Sequence, residues 1–247
     1  MSPRMTATLA GAQTAEVKEK PLLYKFVSYW TFPRARWSDV EKEATGSRKI
    51  LAAALADGAL VGYGDDETLV HFADGFTHAN WWQARSRAGV MKALDALHKG
   101  GGSSSPLLVS STRHWDQVFV SRFYNWKAGS WQGAYGYKST YKLKPDAPEA
   151  EDTLRILSSF YVPLFERLLT DGTIVAYEIG REIFHNTDSR AQLHFSFVIP
   201  SAEGLDELNA AIRAAISENS LLAPTFGSMM VNYTPQNDWV RVNAAYA

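Results

Sequence analysis

Ala56-Asp57-Gly58-Ala59-Leu60-Val61-Gly62-Tyr63 and Thr170-Asp171-Gly172-Thr173-Ile174-Val175-Ala176-Tyr177 are one pattern written twice. Each is an Asp-Gly pair, a short apolar run and a tyrosine, and the offset between the copies is 171 − 57 = 114 residues. The same offset carries His71 onto His185. A glycine just past a helical stretch takes the left-handed position that ends the helix, and the apolar run behind it starts a strand. Two copies are too few for a solenoid, so the 247-residue chain reads as a duplicated compact module.

Working outward, each half reads strand, helix, strand, strand, helix, strand. Tyr24–Phe32 is β-branched and aromatic and stops at Pro33; Tyr137–Leu143 is its counterpart and stops near Pro145. Ser38-Asp39-Val40-Glu41 has the spacing of a capping box, so a helix is expected from Ser38 to near Leu55. In the second half Leu154, Leu157, Tyr161, Leu164, Phe165 and Leu168 share one helical face that closes at Gly172. Pro163, and Thr45-Gly46-Ser47 in the first half, are expected to kink or divide these helices. Hairpins follow: Leu60–Phe72 with His78–Arg85, and Ile174–His185 with Gln192–Ile199. Two short amphipathic helices are marked by Val90, Leu94 and Leu97, and by Leu205, Leu208, Ile212 and Ile216. Each half is expected to end on two strands about a turn. These are Leu107–Thr112 and Val118–Tyr124 about His114-Trp115-Asp116, then Met229–Tyr233 and Trp239–Tyr246 about Thr234-Pro235-Gln236-Asn237. Residues 1–20 read as a flexible tail, 21–128 as the first repeat and 129–247 as the second.

Composition narrows the partners. With 25 basic and 26 acidic residues the formal net charge is −1, without the basic excess that releases counterions from phosphates, so no nucleic-acid partner is expected. There is no cysteine, which excludes disulfides, thiolate metal sites and cysteine nucleophiles. Aromatics make up 13% of the chain, including 8 Trp, enough to wall a pocket or seal a homo-oligomer. No apolar run approaches the roughly 18 residues of a membrane span, and residues 1–20 lack a signal-peptide core. A cytoplasmic protein is expected; a secreted or periplasmic one with its leader removed would read the same.

The doubled βαββαβ order, over nearly the whole chain after Lys20, resembles the ferredoxin-like fold and specifically the dimeric α/β-barrel superfamily. The resemblance implies an α+β fold in which two antiparallel sheets face each other as a barrel, formed here between fused halves. Members include cofactor-independent monooxygenases, small isomerases, stress-response proteins and haem-binding relatives of chlorite dismutase. Because the resemblance rests on element order and not on a motif, it implies a fold more than a function. The haem-binding relatives place an axial His on the long helix of the second module, just before its closing glycine. Here that stretch is Phe165-Glu166-Arg167-Leu168-Leu169-Thr170-Asp171-Gly172, without His. With no axial ligand and no dinucleotide fingerprint, no cofactor is expected and the protein should be colourless.

Two functions remain open. One is binding, or cofactor-independent conversion, of a small apolar or aromatic molecule in the cavity between the sheets. The other is a non-catalytic assembly or regulatory module with a filled core. For the first, Tyr63 and Tyr177 stand at matched positions and could orient a carbonyl or act as acids. His194, in Leu193-His194-Phe195-Ser196-Phe197, shares a face with Ser196 and is the candidate general base. Trp30, Trp81, Trp82 and Phe197 would supply aromatic walls, the adjacent tryptophans facing opposite sides of their strand; His71 and His185 would add polar groups. Paired hairpin histidines are an incomplete ligand set, so no metal is expected. Arg113-His114-Trp115-Asp116 is chemically rich, but with a turn there His114 and Asp116 are not expected to meet.

Overall fold

The computed structural model describes residues 18–101, 105–184, 192–231 and 236–247. The first half runs β1 (Leu23–Thr31), α1 (Trp37–Ala56), β2 (Gly62–Thr68), β3 (His78–Ala84), α2 (Arg87–Lys99), a one-turn α3 (Pro106–Val109) and β4 (Arg113–Trp126). The second half repeats it as β5 (Gly129–Lys142), α4 (Ala150–Asp171), β6 (Ala176–Phe184), β7 (Gln192–Ile199), α5 (Ala202–Glu218), α6 (Leu222–Met229) and β8 (Gln236–Tyr246).

Within each half the strands lie in one order, β4-β1-β3-β2 and β8-β5-β7-β6, and every pairing is antiparallel. The outer strands then join crosswise, β2 to β8 and β6 to β4, closing an eight-stranded barrel. Closure leaves neither half-sheet with a free edge. The duplication is therefore real in three dimensions: Tyr63 and Tyr177 are each the second residue of matched strands, β2 and β6. Gly58 (φ +73°) and Gly172 (φ +88°) both take the left-handed conformation behind their helices, which a Cβ would strain.

Several local expectations are corrected. A 3₁₀ turn at Arg34–Arg36 leads straight into α1, so Ser38 lies inside the helix and caps nothing. Thr45-Gly46-Ser47 does not interrupt α1, and Pro163 lies inside an undivided α4, whose Tyr161, Leu164 and Phe165 are pinned in the core around it. Leu107–Thr112 is not a strand: Ser105 accepts the Leu108 N–H at 3.2 Å and Pro106 opens a helical turn. His114-Trp115-Asp116 is no turn either, because β4 runs on as one 14-residue strand. At Met229–Tyr233, α6 gives way to a single bridge between Met230 and Leu143, and residues 232–235 lie outside the described residues.

Alternation decides what fills the barrel. Val27, Tyr29, Trp81, Phe119, Val242 and Tyr246 point inward, and eight strands enclose a space that side chains just fill. The outward faces form two further cores, one under α1 and α2, and a larger one under α4, α5 and α6. Among the described residues no helix is long and apolar enough to cross a membrane.

Candidate functional site

The barrel interior is polar at its centre. Lys25 lies 3.4 Å from Glu178 Oε2, which also accepts a 2.8 Å bond from Gln83. Lys138 pairs with Asp66, which accepts from Trp81 Nε1 at 3.2 Å. Burial pushes the Glu178 carboxyl up, but Lys25 and the neighbouring imidazole of His194 outweigh it and hold it at about 2. Burial pushes His194 down, against the pull of Glu178. It fits because Gly180 opposite has no side chain: a Cβ there would sit 2.7 Å from His194 Cε1 and 2.8 Å from the Val120 carbonyl oxygen. Free space among these groups amounts to about 20 Å³, room for one water.

Room for a ligand lies outside the barrel, between sheet and helices. The larger cavity, about 300 Å³, is in the second half. Tyr137, Tyr141, Phe195 and Phe197 rise from β5 and β7, while Tyr161 and Phe165 descend from α4; Phe226 and Trp239 add two more rings, and α5 contributes Leu205, Asp206, Leu208, Asn209 and Ile212. Their rings meet mostly edge to face: Phe165 on Phe197 at 4.8 Å, Tyr141 on Phe226 at 4.7 Å and Tyr161 on Phe195 at 5.5 Å. Tyr137 and Ser139 both donate to Asn237 Oδ1, at 3.2 and 2.7 Å. The Tyr161 hydroxyl, on a side chain 7% exposed, has no hydrogen-bond partner among the described residues. Burial pushes its pKa up to about 12, and that of Tyr141 higher, so both stay protonated donors.

A second cavity, about 210 Å³, lies under α1 in the first half. Its walls mix Trp30, Phe32, Trp37 and Tyr63 with charged groups. Arg48 clamps Asp65 at 2.7 and 2.8 Å and Glu41 at 2.7 and 2.9 Å. His78 borders it, its pKa lowered by burial, and by nearby His71, to about 4.

The residues singled out from sequence are thus dispersed. Trp30 and Tyr63 line the first-half cavity; His71 is exposed, its ring 5.0 Å from Trp37. Phe197 lines the second-half cavity. Trp81 and His194 are inside the barrel, whereas Trp82 faces the helices, stacked on Phe26 at 4.5 Å. Tyr177 also faces outward, donating to Glu166 Oε1 at 2.5 Å, so it shares no cavity with His194; burial and Glu166 keep its phenol protonated. His185 lies outside the described residues. Because residues 113–116 are paired as strand in β4, His114 and Asp116 share a face after all: Asp116 Oδ1 is 3.1 Å from His114 Nε2, and Ser28 Oγ touches both. Serine and aspartate converge on one ring nitrogen, so the set cannot relay a proton through the imidazole as a catalytic triad does.

Sequence reasoning missed Tyr141, Phe226 and Trp239 as walls. Tyr161 and Phe165 carried a usable signal, since their i, i+4 spacing puts both rings on one helical face. Among the described residues no histidine lines the aromatic cavity, and its phenols are held protonated, so this donor set does not fit a haem iron. Among the described residues no three His, Asp or Glu gather as a metal site.

No protein-family model matches the chain, and no curated protein matches it. Solved structures do. A candidate monooxygenase from Lactobacillus acidophilus is 11% identical, covering 92% of this chain and 97% of its own, with a TM-score of 0.63. An anthrone oxidase-like protein is 12% identical over 93% and 94%, with a TM-score of 0.57. A candidate chlorite dismutase is 10% identical over 90% and 94%, with a TM-score of 0.50. At these identities the likeness establishes the fold alone: an eight-stranded antiparallel α/β barrel, with both half-sheets drawn from one chain.

Proposed function

We propose that the protein binds a small, largely aromatic molecule in the second-half cavity. The observation that carries this reading is the cavity itself: about 300 Å³, at the lower end of small-molecule sites, walled largely by rings, with the Tyr161 hydroxyl on it. The sequence pointed to the space between the sheets, but that space is filled, and the aromatic walls stand outside the barrel. Tyr161 and Tyr141, held protonated, donate to a ligand oxygen and orient it; they do not exchange protons near neutral pH. The anthrone oxidase-like protein of the same fold makes an aromatic ligand a natural first choice.

Fluorescence titration with 2-naphthol tests this. Saturable one-to-one binding is expected. Ile212→Trp, which fills the cavity from α5, should abolish it without lowering the melting temperature. Tyr161→Phe should weaken 2-naphthol by about tenfold, one hydrogen bond, while leaving naphthalene unaffected. Binding that is absent, or indifferent to Ile212→Trp, would leave the assembly reading in its place. That alternative has its own support in Leu69, Val70, Phe72 and Trp239, all exposed around the same end of the barrel. It requires a dimer or larger species in sedimentation.

A further inference from the structure

The first-half cavity exists because of what α1 lacks. At the 114-residue offset, Leu157, Tyr161 and Phe165 of α4 correspond to Glu43, Ser47 and Leu51 of α1. In α4 these side chains press into the core. In α1 the shorter or polar replacements line an opening of about 210 Å³.

The charges around that opening do not balance. Five acidic residues border it, Glu41, Glu43, Asp65, Asp66 and Glu67, against two guanidiniums, and Asp66 is taken up by Lys138 inside the barrel. Arg48 is taken up by Glu41 and Asp65. Arg241 turns away, donating to the Gly133 carbonyl at 3.0 Å and covering the Tyr135 ring at 4.5 Å. Glu43 and Glu67 are both exposed to solvent on one side; among the described residues Glu43 accepts only from the Ser105 hydroxyl, and the Glu67 side chain has no hydrogen bond or ion pair. His78, kept neutral by burial, brings no positive charge. Trp30, Phe32, Trp37 and Tyr63 supply aromatic walls beside aliphatic ones such as Val40, Leu51 and Leu107, and Trp37 already carries a cation, the Arg34 guanidinium at 4.1 Å. Carboxylates beside electron-rich rings attract a positively charged guest and repel an anion.

We propose that this cavity is a second binding site, selective for a small organic cation, a protonated amine on a short apolar body. The ammonium meets Glu67 and Glu43, and the apolar body lies against Trp30, Trp37 and Tyr63. The site shares no wall residue with the aromatic cavity of the second half, so the two readings stand or fall separately.

Calorimetric titration of the full chain at pH 7 with benzylamine, benzyl alcohol and benzoate decides it. Benzylamine should bind saturably, with the alcohol and the carboxylate weaker by about tenfold or more, the value of one charge-assisted contact. Glu67→Gln should lower benzylamine affinity by a similar factor, and raised salt should weaken it. Ser47→Tyr restores the bulk of its α4 counterpart and should abolish binding; Ala44→Leu, a milder filler, should do the same if the first variant folds poorly. Ile212→Trp should leave benzylamine binding unchanged. Equal binding of the alcohol or benzoate, indifference to Glu67→Gln, or binding that survives both fillers would overturn the proposal.

Discussion

Helices α1 and α4 are copies of one element, yet α4 buries nine side chains and α1 buries one, Leu51. Their ends agree: both close on an Asp-Gly pair whose glycine is left-handed. Their strands agree too, in order and in pairing. The difference lies in the face each helix turns to its sheet. Duplication has preserved the hydrogen-bonded frame, where a change would leave buried backbone groups unpaired. Side chains between helix and sheet have diverged freely, since losing one opens a cavity and does not break the frame. The second half has become an aromatic enclosure and the first a polar one.

The largest expected contrast is in stability. Leu157→Ala, at a site with no exposure, should cost about 2–5 kcal/mol in denaturant unfolding. Glu43→Ala, at the matched position, should stay within about 0.5 kcal/mol. Comparable losses would mean that α1 is packed as α4 is, and would remove the first-half cavity from consideration.

A smaller effect tests the likeness instead. Gly58→Ala and Gly172→Ala should each cost about 1–2 kcal/mol, from left-handed strain alone. A Cβ at Gly58 would meet nothing within 4 Å, and one at Gly172 only Lys127 Nζ at 3.7 Å. Unequal costs in equilibrium unfolding would show that the two caps are not equivalent.

A further contrast is a pH dependence belonging to one half. His78 falls from 6.5 to about 4 on folding, and its counterpart at the 114-residue offset is Gln192, which does not titrate. Between these values the unfolded chain takes up a proton that the folded chain refuses, so stability falls as pH drops from 6.5 to 4. His78→Gln should flatten part of that slope while leaving stability at pH 8 little changed. A slope unchanged by the substitution would assign the acid sensitivity elsewhere, with buried His194 the next group to replace.

The element order was legible because it depends on local patterns. Apolar periodicity and the Asp-Gly steps located both long helices, and Gln192–Ile199 is β7 to the residue. Leu107–Thr112 misled because Leu-Leu-Val is as good a strand as a helix, and Ser105-Pro106 tipped it to helix through a cap that the apolar run conceals. Among the candidate site residues, Trp30, Tyr63 and Phe197 do line cavities, but two different ones. Tyr161 was visible as a core position on α4, and nothing in the sequence marks its hydroxyl as unpartnered.

By itself, then, the sequence determined the duplication, the βαββαβ order and the two faces of every strand, all consequences of spacing within short segments. Alternation tells that Trp81 and Trp82 part company, and that His194 and Ser196 do not. It does not tell which face is inside. That was decided only when β2 met β8 and β6 met β4, strands drawn from different halves. Here the inward side chains of the eight strands leave only about 20 Å³ among them, too little for a guest. Open space was therefore displaced to the outer faces, where its shape depends on how closely two separate helices approach the sheet.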